Sequence, residues 1–100
     1  MPSALSFLSS FERSLKGLDP QQKLIVARIL EAFIVYLETN GDLLEAKKIS
    51  PRFFFKKLRT PYYEAGVETR LRIIFEKHAG NFYAILTGDH DQIKRFLSQA

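Results

Sequence analysis

Two arginines and one histidine-bearing segment are where this sequence concentrates chemical capability. Arg70 and Arg72 flank a single residue, and in a β-strand that spacing puts both guanidiniums on one side of the sheet. Guanidiniums in that arrangement hold an oxyanion through paired hydrogen bonds. Downstream lies Gly88-Asp89-His90-Asp91, the one segment that gathers His with Asp. An imidazole with an ordinary pKa near ~6.5 is the natural proton donor or acceptor, and Asp89 or Asp91 is placed to orient it. Three consecutive residues do not all point at one ion, so no metal site and no cofactor are expected.

The charge distribution says what kind of ligand such a site would meet. The net charge of +4 is unevenly spread: residues 1–46 carry four Lys/Arg against six Asp/Glu, and residues 47–100 carry eleven against five. Lys47, Lys48, Arg52, Lys56, Lys57 and Arg59 fall close together with no acid among them, and Phe53, Phe54 and Phe55 lie between. A basic half interleaved with aromatics points to a polyanion such as nucleic acid, the alternative being a solvated cationic face.

The elements that must position these residues follow from periodicity and punctuation. Leu71–Phe75 and Phe82–Thr87 read as the strands of a β-hairpin, joined through Gly80-Asn81 by a loop longer than the two-residue minimum. Leu71, Ile73 and Phe75 share one face, and Arg70, Arg72 and Ile74 share the other. His78 falls in the expected loop. Tyr62–Val67 reads as a preceding strand, set off by Thr60-Pro61. Residues 3–7 alternate as a short first strand. Ser9 and Glu12 have the spacing of a capping box opening a helix with Phe11, Leu15 and Leu18, and Gly17 is its stop. Asp19-Pro20-Gln21-Gln22 opens a second helix, capped by Asp19 and running to about Glu38 before Asn40-Gly41.

That second helix has only a narrow polar stripe (Gln21, Arg28, Glu31, Glu38), so it must be buried on more than one side, within the core or against another chain. Asp42–Lys48 fits a turn or two of helix, and residues 53–59 suit a strand or a short helix equally. Asp91–Leu97, with Ile93, Phe96 and Leu97, reads as a short C-terminal helix. The expectation is one α+β domain over residues 1–100. Two N-terminal helices pack on one face of a small, mainly antiparallel sheet, and the Arg70/Arg72 face stays open to a ligand. Cysteine is absent, which removes disulfides and thiolate metal sites. The start, Met1-Pro2-Ser3-Ala4, has no charged n-region or long apolar h-region, and no apolar run is long enough to span a bilayer. A cytoplasmic protein with no membrane partner is the expectation.

Several of these pieces, in this order, resemble the RelE/ParE superfamily of toxins from bacterial type II toxin–antitoxin pairs. Phe7–Leu18 looks like the short strand and first helix of these toxins. Lys56-Lys57-Leu58-Arg59-Thr60-Pro61-Tyr62-Tyr63-Glu64 looks like the approach to their second strand, where a Tyr/Trp-Glu pair is usual. Leu71–Phe75 is similar to the strand that carries their most recognisable arginine, here Arg72, and Gly88–Leu97 resembles their last strand and tail. Two positions depart from the pattern. Gly66 stands where many members have an arginine two residues after the glutamate, and Phe96 stands where some nucleases use a tyrosine.

The resemblance implies a RelE-like toxin neutralised by an antitoxin that wraps it. Many members cut messenger RNA, commonly on the ribosome, and others of the ParE type inhibit DNA gyrase by binding. Metal-free RNA cleavage needs a base for the 2′-hydroxyl, charge stabilisation on the phosphorane and an acid for the leaving oxygen. Arg72, His90 and Lys57 are the candidate catalytic residues, with Lys56, Arg59 and Arg70 for phosphates and Tyr62, Tyr63 or Phe96 for base stacking. The bland readings stay open beside these: Arg72 as a sheet-face ion pair with Glu64 or Glu76, His90 as a turn or cap residue, and the whole chain as a non-catalytic relative that only binds an antitoxin.

Overall fold

In the computed structural model, which describes residues 4–67 and 70–99, the chain runs β1 (Leu5–Phe7), α1 (Ser9–Lys16), α2 (Pro20–Glu38), α3 (Leu43–Ile49), β2 (Phe54–Arg59), β3 (Tyr62–Gly66), β4 (Arg72–His78), β5 (Asn81–Gly88) and α4 (His90–Gln99). Ser3, at the head of the expected first strand, and Thr69, just before the hairpin, lie outside the described residues. The strands form one sheet in the order β1-β5-β4-β3-β2. Four consecutive strands pair antiparallel, and β1 alone joins in parallel, against β5. The α+β class and the mainly antiparallel sheet are as expected.

Local signals account for α2. The Asp19 carboxylate accepts from the Gln22 backbone N–H at 2.8 Å, and the Gln22 amide oxygen accepts from the Asp19 N–H at 3.0 Å, so the capping box closes around Pro20. The helix ends where Asn40 and Gly41 enter the left-handed region. Its inner side, Val26, Ile29, Ala32, Phe33 and Leu37, is buried, and it packs against the sheet and α3. Burial is nevertheless one-sided: Leu24 is 71% and Ile34 42% exposed, so the apolar circumference is not consumed within this chain.

The first helix differs from its expectation. Leu8 is the N-cap and no side chain caps the helix, so the Ser9–Glu12 box does not form. Ser10 Oγ instead donates to the Ile85 carbonyl at 2.6 Å, and Ser14 Oγ accepts from the Thr87 N–H at 3.0 Å. The Ser10 and Ser14 hydroxyls thus tie α1 to β5, Ser14 also donating to the Phe11 carbonyl within the helix. Asp42 caps α3 by accepting from the Leu44 and Glu45 amides. The ambiguous stretch after Ser50 resolves as a strand.

The hairpin corrects a further expectation. Its loop is the two-residue minimum, Ala79-Gly80, with His78 paired to Asn81. Both loop residues have positive φ (52° and 80°), as a type I′ turn requires, and this twist matches that of the strands. His78 is therefore the last residue of β4. Its ring nitrogen meets the Glu76 carboxylate and its ring lies by Tyr83.

A third correction concerns α4, which covers part of the face expected to remain open. Phe75 pairs with Ala84 but Ile74 pairs with Leu86, so β5 carries one extra residue at Ile85, a β-bulge. Phe75 and Ala84 belong to the core under α2. Ile74 and Leu86 belong to the opposite face, where Leu86 lines a depression with Gln92, Arg95 and Phe96 of α4. Phe96 meets Tyr62 edge-on at 5.4 Å, and Arg59 donates to the Leu97 carbonyl. The central strand β4 is thus buried on both faces, with Ile73, Ile74 and Phe75 all fully enclosed.

Ala79 holds a backbone conformation that costs an L-residue about 1–2 kcal/mol and that asparagine tolerates. Ala79→Asn is expected to stabilise the protein by about 0.5–1 kcal/mol. Urea denaturation should show a higher midpoint with unchanged slope.

Candidate functional site

Strand parity decides which of the candidate residues meet. Lys56, Glu64 and Ile74 are cross-strand partners across β2, β3 and β4, and Arg72 lies two residues from Ile74 on the same face. Glu64 is 4% exposed, and it is a carboxylate between two cations: Arg72 Nε at 3.4 Å and Lys56 Nζ at 3.4 Å. A carboxylate so buried needs such partners to remain ionised. Of the two ion pairs anticipated for Arg72, the one with Glu64 forms, while Glu76 faces His78.

The Arg72 guanidinium is held on another side by an aromatic ring. Its carbon lies 4.9 Å from the centroid of Phe54, which also lies 5.8 Å from Lys56 Nζ. Gly66, the position where the family pattern calls for arginine, makes this possible. A Cβ there would sit 2.8 Å from the Phe54 ring and 2.9 Å from Arg72 Cδ. Glycine leaves the space that the stacked pair occupies, so the departure is structural and belongs to the same cluster. The Arg72 carbonyl accepts from Thr87 Oγ1 at 3.0 Å, tying the strand to β5 behind it.

Arg70 and His90 come together beside this cluster. With Asp89 and Asp91 they line an open cavity of about 270 Å³. Arg72 pairs with Gly88, the residue from which the chain passes through Asp89 into α4. The roles of the two aspartates separate here. Asp89 accepts from the Gln92 N–H at 2.9 Å and its own N–H donates to Gln92 Oε1 at 2.8 Å, a reciprocal cap that commits Asp89 to the helix. His90 is the first residue of α4 and exposed. Among the described residues no three His, Asp or Glu side chains gather to hold a metal ion.

Other candidates fall elsewhere. Lys57 pairs with Tyr63, and Tyr63 with Phe75, so Lys57 and Tyr63 stand on the α2 face, separated by the sheet from Arg72. Tyr63 stacks on Phe55 within the aromatic core. Tyr62 and Phe96 share the Arg72 face but pack on each other, and Arg59 is engaged with the end of α4. The sequence reading missed Phe54 and the structural meaning of Gly66. The available signal was the i, i+2 spacing of Phe54 and Lys56, which is informative only once the segment is known to be a strand.

The fold has solved counterparts. A chain of a RelB–RelE antitoxin–toxin complex from Methanococcus jannaschii superposes with a TM-score of 0.61, covering 91% of this chain and 96% of that one at 16% identity. YafQ from E. coli gives 0.60 with 91% and 97% covered at 16% identity. A copper-bound mutant toxin from Helicobacter pylori gives 0.59 with 93% and 99% covered at 18% identity. The chain therefore shares the fold of these solved structures. No family model and no curated protein matches the sequence.

Gly66→Ala is expected to force Phe54 and Arg72 apart and to cost about 1–3 kcal/mol, as overpacking does. Glu64→Gln should cost about 1–2 kcal/mol by removing the charge that holds both cations. Thermal unfolding measures both, and a midpoint unchanged in either variant would show that the cluster contributes nothing to the fold.

Proposed function

We propose that this chain is the toxin of a type II toxin–antitoxin pair and a metal-independent endoribonuclease acting on messenger RNA. The observation that carries this reading is the cavity that Arg70 and the exposed His90 line together. Arg72, fixed by Glu64 and Phe54, follows Arg70 by two residues and is in register with Gly88, two residues before His90. Arg70 and Arg72 hold the scissile phosphate and stabilise the charge that develops on it. His90 transfers the proton, its exposure leaving it accessible to the 2′-hydroxyl or the leaving 5′-oxygen. Lys56 binds a flanking phosphate. Lys57 has no part in this step because the sheet lies between it and Arg72. The likeness to RelE-type folds supports an antitoxin chain as the protein partner.

A second reading rests on two observations. Glu64 already offsets the charge of Arg72 and Lys56, and Asp91 stands next to His90, so less net positive charge remains for a phosphodiester. The outward Leu24 and Ile34 of α2 offer an apolar surface to a protein target. A toxin that acts by binding, as ParE types do on gyrase, or a non-catalytic relative, would have both features. Among the described residues no helix is long and apolar enough to cross a membrane.

Transcript 5′ ends mapped after induced expression in bacteria separate these readings. New ends within coding regions are expected for the natural sequence. His90→Ala should reduce them by on the order of 100-fold or more, and Arg72→Ala by on the order of 100-fold. Arg70→Ala, an exposed change that leaves the Glu64 cluster intact, should reduce them without affecting thermal stability. Arrested growth with intact transcripts would replace the nuclease reading with the binding one.

A further inference from the structure

The opposite face of the sheet holds a larger cavity, about 410 Å³, between the C-terminal end of α2 and the hairpin side of the sheet. It is within the range of small-ligand sites. Its walls are the rings of Tyr36, Phe55, Tyr63 and Phe82, with Lys77 and Asn40 as its polar groups. The rings are already organised. Phe55 and Tyr63 stack at 5.3 Å with 3° between their planes, Phe82 stands edge-on to both, and Tyr36 lies 5.2 Å from Phe55. A preformed aromatic wall favours a flat, polarisable group and costs little ordering when one binds.

The charge at this cavity is equally specific. Lys77 Nζ lies 5.4 Å from the Phe82 centroid and 5.9 Å from that of Tyr63, and among the described residues no carboxylate pairs with it. Lys57, in register with Tyr63, adds a second cation to the same face. Asn40 is carried there by the left-handed turn that ends α2, and its side-chain amide makes no hydrogen bond among the described residues. An amide both donates and accepts, which suits the edge of a heterocyclic base.

We propose that this cavity binds a nucleoside monophosphate, with the base against the aromatic wall, the Asn40 amide on the base edge and the phosphate on Lys77. The site is separated from Arg72 by the sheet, and the proposal does not depend on RNA cleavage. Amide chemical shifts of the protein titrated with adenosine monophosphate, adenosine and ribose phosphate provide the test. Adenosine monophosphate at millimolar concentration should shift Asn40, Tyr63, Lys77 and Phe82. Adenosine and ribose phosphate should each bind about tenfold more weakly, since each lacks one half of the recognition. Lys77→Met, which keeps the apolar stem on an exposed residue, should weaken the monophosphate about tenfold and leave adenosine unchanged. Phe55→Leu, with its folding checked by thermal unfolding, should weaken both ring-bearing ligands. Absence of shifts at these amides, shifts confined to Arg70 and His90, or equal affinity for adenosine and its monophosphate would each overturn the proposal. None of these results bears on the transcript ends, so the two readings fail separately.

Discussion

The contact of Phe33 with the sheet is the constraint from which the remaining geometry follows. Phe33 stacks on Phe75 at 4.3 Å and meets Phe55 at 5.1 Å and Phe82 edge-on at 5.3 Å, so one ring of α2 touches residues of β2, β4 and β5 together. Ring pairs at these separations add to the area they bury, and their orientation is directional. Fixing three strands to one point of a helix fixes their order and spacing. It thereby fixes the distances among Lys56, Glu64 and Arg72 on the far side.

The bulge at Ile85 is the second determinant. Without it, the alternation that puts Phe82 and Ala84 toward α2 would carry Leu86 there too. The extra residue lets the end of β5 turn its side chain toward α4 instead, while Thr87 remains hydrogen-bonded to α1 through its backbone. α4 then has an apolar bed of its own, and its first residue, His90, is delivered beside Arg70. The cluster around Arg72 is rigid because it belongs to the sheet; the imidazole is set by a helix start and its cap. These are two independent supports meeting at one edge.

Legibility in the sequence followed the range of the interactions. The start of α2 was legible because Asp19, Pro20 and Gln22 act on one another within one helical turn. The Ser9–Glu12 box carried the same local signal and was wrong, because Leu8, whose N–H donates to the Ala84 carbonyl of β5, is the N-cap and leaves Ser9 inside the first turn, a choice no local pattern encodes. Residues 53–59 were ambiguous since three successive phenylalanines show no period. Once they are known to be a strand, parity alone separates Lys56 from Lys57. For the site, the residue types Arg70, Arg72 and His90 and the possible Glu64 pairing were readable. The Phe54 stack, the space at Gly66 and the placement of α4 required the fold, since each joins residues distant in sequence or depends on which face of a strand is covered.

The two outer strands of the sheet also bear on how the molecule avoids its own kind. Backbone groups along a sheet margin are an open template for further strands, and long, flat, uncharged margins invite polymerisation. One margin here, β1, is only three residues long and is followed at once by a helix. The other, β2, is longer but carries Lys56, Lys57 and Arg59, with an irregular register between Lys57 and Arg59. A second copy approaching that margin would meet like charge and a distorted ladder. Charge and irregular register therefore disfavour strand addition along β2, whatever chemistry its neighbours perform.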